Sequence, residues 1–160
     1  MKHIFTRFSI LFLVPILIMS QPSCKKDSGN PASGNGEIKL NIDGTNWDAS
    51  LAVQAVYSNN VLVISGSDGN AKQISLTIVN PAEGQTYDFG GLGNTSYIGQ
   101  WTAGLSQTET YSTFAFQSKA GEINISKLTD SMVEGTFSFQ AKNTAGNSVT
   151  ISNGTFSANF

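Results

Sequence analysis

Apolar and polar residues alternate in short runs over most of the chain from residue 37 onward. In the first run, Ile38, Leu40 and Ile42 are separated by polar residues. A period of two residues is the pattern of a β-strand with one buried face. Similar runs predict further strands over residues 51–57, 61–65, 74–78, 87–89, 97–102, 111–118, 122–128, 133–140 and 149–160. No segment carries a convincing amphipathic helical pattern.

Turn-forming residues separate these runs. Asp43-Gly44, Ser58-Asn59-Asn60 and Asp68-Gly69-Asn70 are typical of hairpin connections. Residues 84–110 are less regular and include a glycine-rich loop. Strands joined in sequence predict an all-β fold, namely an antiparallel meander forming a β-sandwich or open barrel of about nine or ten strands. The polar face of each run predicts that the sheets contact water on one side.

The first 23 residues follow a different pattern. A positively charged start is followed by an apolar run over residues 8–19 and then by small and turn-forming residues. The run is about a dozen residues long, shorter than the roughly 20 that a membrane-spanning helix needs, and Pro15 interrupts it. We therefore interpret residues 1–23 as a signal peptide.

Cys24, the only cysteine, indicates the kind of signal peptide. The stretch MSQPSC resembles the looser lipoboxes of Bacteroidota lipoproteins, although Gln21 replaces the usual apolar residue. We predict that Cys24 is acylated as the first residue of the mature chain and anchors it in the membrane. The alternative is an ordinary secreted protein with a leftover thiol. The prediction places the protein in the cell envelope as an outer membrane lipoprotein, either periplasmic or surface-exposed.

The composition after Cys24 divides the rest of the chain into two parts. Residues 24–36 are rich in Gly, Ser and Asn and predict a flexible linker that follows the lipid. Residues 37–160 hold the β-strand patterns and predict one all-β domain, which is long enough to bury a core without disulfides.

Removing residues 1–23 limits the chemistry that the mature chain can perform. His3 and Arg7 are the only histidine and the only arginine, and both lie in the removed segment. Of nine basic residues, seven lysines remain against eleven carboxylates, a net charge of −4. Catalytic systems that need histidine, and zinc or copper sites built on His and Cys, are excluded. An acidic chain without arginine also predicts no nucleic-acid partner and no cofactor that needs bidentate phosphate binding.

Three stretches resemble a known family. These are DGTNWDA (43–49), GEINISKL (121–128) and the pair VEGTFSFQAKN and VTISNGTFS (133–157). Together they are similar to a domain of unknown function in small Bacteroidota lipoproteins, over most of the mature chain. The resemblance implies a compact all-β domain on a lipid tether and implies no catalytic or binding residues.

Aromatic residues are the first candidate for a binding site. Trp47, Tyr97 and Trp101, with Tyr87 and Tyr111, would form a platform on which a sugar ring stacks. The alternative, which we favour, is that the two tryptophans plug the ends of the sandwich and donate their N–H groups to backbone carbonyls.

Oxygen-bearing residues give two further candidates. Asp43, Thr45, Asn46 and Asp48 would supply calcium ligands, but their spacing does not fit an EF-hand loop, and we favour a turn stabilised by local bonds. Two carboxylates at a defined separation suffice for glycoside hydrolysis. The available residues, Glu83, Glu109, Glu122 and Glu134, lie at turns or on predicted solvent faces, where scattered surface charge is the simpler interpretation.

Ser131 is a candidate for modification. Asp130-Ser131-Met132 resembles the Asp-Ser/Thr-apolar acceptor of O-glycosylation in Bacteroidota and falls in a predicted turn.

The sequence leaves three functions open. The first is a non-catalytic domain that binds a glycan, peptide or protein ligand through loops at one end of the sandwich. The second is a structural envelope component without a ligand, and the third is a carboxylate-dependent hydrolase.

Overall fold

The computed structural model describes residues 36–160 and consists mainly of β-strands. The predicted signal peptide, Cys24 and the predicted linker up to residue 35 lie outside the described residues. The eleven strands are β1 Gly36–Ile42, β2 Thr45–Asp48, β3 Ala52–Ser58, β4 Val61–Ser67, β5 Gln73–Val79, β6 Thr86–Gly90, β7 Tyr97–Thr102, β8 Thr110–Ser112, β9 Lys119–Leu128, β10 Met132–Lys142 and β11 Ser148–Asn159. The predicted all-β antiparallel class is confirmed.

The strands form one continuous antiparallel sheet that is open, with β2 at one end and β3 at the other. Its order is β2-β1-β11-β10-β8-β7-β5-β4-β3, and a branch of β9 and β6 leaves from β10. Most neighbours are joined by hairpins, but β1 pairs with β11, β5 with β7, β6 with β9 and β8 with β10. The topology is therefore not a simple meander, in which each strand would pair only with the strands before and after it in the sequence.

The sheet folds over a single core in a sandwich-like arrangement. One layer is β2-β1-β11-β10-β9-β6 and the other is β3-β4-β5-β7-β8, and the pair Lys142 and Ser112 connects them. The layers meet where the Phe139 ring of β10 packs on Gly99 of β7, leaving no space for a Cβ atom there. Alternate residues of each strand face this core, as the period-two pattern predicts.

The residue types in two hairpin turns explain the backbone conformation of those turns. Asn59 and Asn60 both adopt positive φ angles, 52° and 62°, and connect Ser58 to its partner Val61. Asp43 and Gly44 do the same between β1 and β2, with φ angles of 48° and 86°. Two successive positive φ angles match the twist of the flanking strands, and Asn, Asp and Gly tolerate them best.

Two strand predictions differ from the structure. Residues 45–48 form β2, which the sequence analysis assigned to a turn, so the count rises to eleven. The predicted strand over residues 111–118 is wrong beyond Ser112, because residues 113–115 form a 3₁₀ turn. The Ser112 hydroxyl accepts a hydrogen bond from the Phe114 N–H at 3.2 Å and caps this turn, so the hydroxyl competes with strand continuation.

β1 begins at Gly36, the first residue that the structure describes. Over residues 36–160, no helix has the length and apolar character required to cross a membrane.

Candidate ligand-binding cleft

The two tryptophans lie inside the protein. Trp47 is 8% exposed and Trp101 is 2% exposed, and their rings meet edge to face with centroids 5.1 Å apart. Neither ring is exposed, so these two side chains do not form the stacking platform that the sequence analysis considered beside the favoured core interpretation. The interpretation as core residues fits instead, because the pair joins β2 of one layer to β7 of the other.

The Trp47 side chain also has a polar partner that the sequence did not indicate. Its Nε1–H donates to the Asp68 carboxylate at 2.9 Å, rather than to a backbone carbonyl. The same carboxylate accepts from the backbone N–H groups of Asn70 and Lys72, at 2.8 and 3.0 Å. Burial on its own would raise the pKa of Asp68, but the donors from Trp47, Asn70 and Lys72 together bring the pKa below its ordinary value.

Tyr97 does not belong to an exposed aromatic cluster. It is half-buried and packs on Tyr87, with ring centroids 4.9 Å apart. The Tyr87 hydroxyl accepts from the Ala82 N–H and donates to the Asn80 carbonyl, so it fixes the loop after β5. Tyr111 is likewise half-buried against the core. The predicted aromatic residues therefore do not come together at one surface.

Two of the four candidate calcium ligands accept hydrogen bonds from protein groups. The Asp43 carboxylate accepts the Thr150 N–H of β11 at 2.9 Å, and the Asn46 side chain accepts from Asn41. Across the described residues, His, Cys, Asp and Glu side chains form no group of three or more that would hold a metal.

The four candidate carboxylates for hydrolysis lie at separate places. Glu83 accepts the Leu128 N–H, and Glu109 accepts the Ser106 N–H in a capping box. Glu134 lies 3.5 Å from the Ser157 hydroxyl. Glu122 faces Asp88 across β9 and β6, and both carboxylates bind the Lys119 ammonium group at 2.8 Å. The hydrogen bonds that Lys119 donates to these two carboxylates raise its pKa to about 12, so the lysine cation stays between them.

Ser131 is exposed in the turn between β9 and β10. Its carbonyl accepts the N–H of Phe160 at 3.0 Å, which holds the turn beside the end of β11. Its hydroxyl is therefore presented at the surface in a turn, as the sequence analysis expected for an acceptor.

Three connections at one end of the sandwich border an open cleft that the sequence did not reveal. They are the loop before β8, the 3₁₀ turn after β8, and the hairpin between β10 and β11. The cleft has a volume of about 470 Å³. Its lining consists of Gln107, Thr110, Ser112, Phe114, Ala115, Lys142, Asn143 and Thr144.

Asn143 holds the walls of the cleft together. Its Nδ2 group donates to the Thr108 carbonyl at 2.6 Å, across the two loops. Its Oδ1 atom accepts from the Ala145 and Asn147 N–H groups at 3.1 and 2.8 Å, which fixes the hairpin. Because Asn143 is only 8% exposed, these bonds are shielded from water and give the cleft a defined shape.

The side chains of the cleft combine apolar surface with a single cation. Phe114 is 58% exposed, which is unusual for an aromatic ring in a domain with a well-packed core. The Lys142 ammonium group lies 4.6 Å from the centroid of the Phe116 ring and has no ion-pair partner within 4 Å among residues 36–160. Among the described residues, the other polar lining groups are amides and hydroxyls, without a carboxylate.

Sequence reasoning missed this cleft because its residues come from two separate regions of the chain, residues 107–115 and residues 142–144. Residues 111–118 were expected to form a strand, in which Phe114 and Phe116 would share one face. The useful signal was the run Ser112-Thr113, whose hydroxyls compete with strand hydrogen bonds.

A model of a known protein family matches residues 34–158, nearly the whole of the described structure. The chain belongs to the DUF6252 family, a domain of unknown function. No curated protein and no solved structure matches the chain. The DUF6252 domain therefore comprises all eleven strands, the buried Trp47–Trp101 pair and the cleft.

Proposed function

We propose that this DUF6252 protein is a lipid-anchored component of the cell envelope whose β domain binds a ligand without transforming it. The ligand occupies the cleft formed by the two loops beside β8 and the β10–β11 hairpin. The anchor is Cys24, and the linker after it holds the domain away from the lipid headgroups.

The cleft is the observation that carries this proposal. Its volume of about 470 Å³ lies within the range of roughly 300–1,000 Å³ that is typical of small-molecule sites. It combines an exposed aromatic ring, Phe114, with convergent amide and hydroxyl groups, a combination that suits a ligand with an apolar or ring-shaped body. This position, at loops on one end of the sandwich, is the one expected for a non-catalytic binding domain.

The charge of the cleft specifies the ligand further. Residues 36–160 contain ten carboxylates and five lysines, so the domain as a whole repels anions. The cleft nevertheless presents Lys142 and no carboxylate. A ligand with one carboxylate or other anionic group, such as an acidic sugar of a glycan or the carboxyl end of a peptide, would pair with this lysine.

The same lining suits binding better than catalysis. Lys142 is the one ionisable side chain among the described lining residues, and its ammonium group lies over the Phe116 ring rather than on a lining hydroxyl that it could activate.

A second candidate is a structural envelope component without a small ligand. The burial of Trp47 and Trp101 favours it, because exposed indoles would have been the strongest sign of sugar binding.

The deciding experiment screens acidic and neutral glycans and peptides against the domain and then tests single variants by calorimetry. Phe114→Ala and Lys142→Met are expected to weaken binding of an acidic ligand at least tenfold. The matched controls, Leu105→Ala at a 93% exposed loop position and Lys127→Met on β9, are expected to bind like the parent. Equal effects of Lys142→Met and Lys127→Met would reject the cleft as the binding site. A screen that finds no ligand would leave the structural envelope component as the remaining candidate function.

We also propose that Ser131 is O-glycosylated, since its hydroxyl is exposed in a turn that follows the Asp-Ser-Met pattern. Intact-mass measurement of the native protein would reveal hexose increments that disappear in Ser131→Ala. A native mass equal to that of the polypeptide and its lipid would refute it.

A further inference from the structure

The layer β3-β4-β5-β7-β8 carries no charged residue in any of its strands. In the other layer, by contrast, every strand except β11 contains at least one charged side chain. The outward row Val56, Val63, Thr77 and Ile98 runs in register across β3, β4, β5 and β7. The strands of one layer of this acidic domain are therefore uncharged.

Exposed apolar side chains concentrate at the edge of this layer. Leu51 is 65% exposed, Val56 is 53% exposed and Tyr57 is 45% exposed, and all three lie in β3 or directly before it. Phe160, 42% exposed, packs on Tyr57 with ring centroids 6.2 Å apart. Val56 and Tyr57 belong to β3, and Leu51 and Phe160 lie beside it. β3 is hydrogen-bonded on one side only, to β4.

The β3 edge lacks the features that normally prevent a free edge from pairing. Such features are short length, charged side chains, proline and bulges. The β2 edge has four residues and includes Asp48, and the β6 edge has five residues and includes Asp88 in its ion pair with Lys119. β3 has seven residues and pairs with β4 without any register shift.

We infer that β3 is an interface at which a second copy of this chain adds its own β3, so that two sheets join edge to edge. A second copy fits this edge because β3 carries no charged residue. Two domains that each have a net charge of −5 over residues 36–160 repel each other through their charged strands, and pairing at β3 joins them without placing like charges opposite one another. Antiparallel pairing about a two-fold axis overlaps all seven residues only when it is centred on Ala55.

That register has consequences for particular side chains. Val56 then lies opposite Gln54 of the partner, and the two copies of Val56 are diagonal neighbours on the outer face. Tyr57 lies opposite Val53, which covers part of its exposed ring. One strand pair buries less than the roughly 800 Å² per partner of a standard interface, so the association is expected to be weak, in the micromolar range.

The test uses residues 24–160 with Cys24→Ser, a chain that contains the whole described domain, and measures its mass by sedimentation equilibrium over a range of concentrations. The parent is expected to shift from monomer to dimer as its concentration rises. Val56→Lys and Val56→Glu should each weaken the dimer at least tenfold, because the substituted charge appears twice at the interface. An equimolar mixture of the two variants should recover the dimer.

The control is Thr136→Lys on the outer face of β10, which should dimerise like the parent. A parent that remains monomeric at hundreds of micromolar would overturn the inference. So would a dimer that survives Val56→Lys, or one that Val63→Lys on the face of β4 disrupts more strongly than Val56→Lys does. Circular dichroism confirms that each variant is folded.

Discussion

Phe156 of β11 lies directly opposite Gly135 of β10, and its ring occupies the space that a side chain at position 135 would need. Two positions along, the relationship is reversed, because Phe137 of β10 lies opposite Gly154 of β11. The two Gly-Thr-Phe segments thus pair antiparallel, each phenylalanine covering the other strand's glycine, and the two rings lie 6.2 Å apart. Between them, Thr136 and Thr155 pair on the outer face.

Gly135→Ala is expected to destabilise the domain. The new Cβ atom would lie 2.0 Å from the Asn124 carbonyl oxygen and 2.5 Å from the Phe156 ring, and the carbonyl belongs to a paired strand that cannot move freely. Overpacking of this kind costs about 1–3 kcal/mol in the free energy of unfolding. Urea denaturation measures it, with Gly69→Ala as the control because nothing lies within 4 Å of its Cβ position. A Gly135→Ala variant as stable as Gly69→Ala would contradict this packing.

The lowered pKa of Asp68 predicts how the free energy of unfolding depends on pH. Its pKa in the folded protein is below that of the unfolded chain, about 3.9 for an ordinary aspartate. At this site the folded state binds fewer protons than the unfolded chain does. The stabilisation that ionised Asp68 provides is therefore present above pH 4 and is lost as the pH falls through the lower, folded-state pKa. Asp68→Asn should lower the free energy of unfolding at pH 7 by about 1.5–3 kcal/mol, since three N–H donors lose a charged acceptor.

The measurement is urea unfolding at pH 7 and at pH 3, with Asp130→Asn in an exposed turn as the control. The difference between parent and Asp68→Asn should shrink at pH 3. A difference that stays the same at both pH values would mean that the carboxylate charge does not act on folding.

The fold class was predictable because burial on one face imposes a period of two, and this pattern needs no knowledge of partners. It located β7 over residues 97–102 without error and most other strands to within a few residues. The pairing of β1 with β11 was not predictable, because both strands present similar alternation and nothing local distinguishes their partners. The acceptor for Trp47 was missed for the same reason, since Asp68 is 21 positions away.

The burial of Thr113 could not be predicted from the local pattern, because that pattern places polar residues on the exposed face of a strand. Thr113 was assigned to a strand, yet it lies fully buried in the 3₁₀ turn, where its hydroxyl accepts the Gly99 N–H at 3.1 Å. Thr113→Val keeps the shape of the side chain and leaves that N–H without an acceptor, which is expected to cost about 1–3 kcal/mol. Thermal and urea unfolding would measure this, with Thr102→Val on the half-exposed face of β7 as the control. Equal stability of the two variants would show that the bond contributes nothing.

Cys24→Ser tests the anchor on which the proposed location depends. A serine cannot form the thioether to diacylglycerol, so the precursor should not be processed by signal peptidase II and the protein should leave the membrane fraction. Fractionation, immunoblotting and mass spectrometry of the mature N-terminus would measure this, and globomycin should cause the same precursor to accumulate in the parent. Ser28→Ala in the predicted linker is the matched control, because it leaves both Cys24 and the small residue before it unchanged. A Cys24→Ser protein that stays with the membrane, with unchanged processing and globomycin response, would refute lipidation and leave a secreted protein whose cysteine is an ordinary thiol.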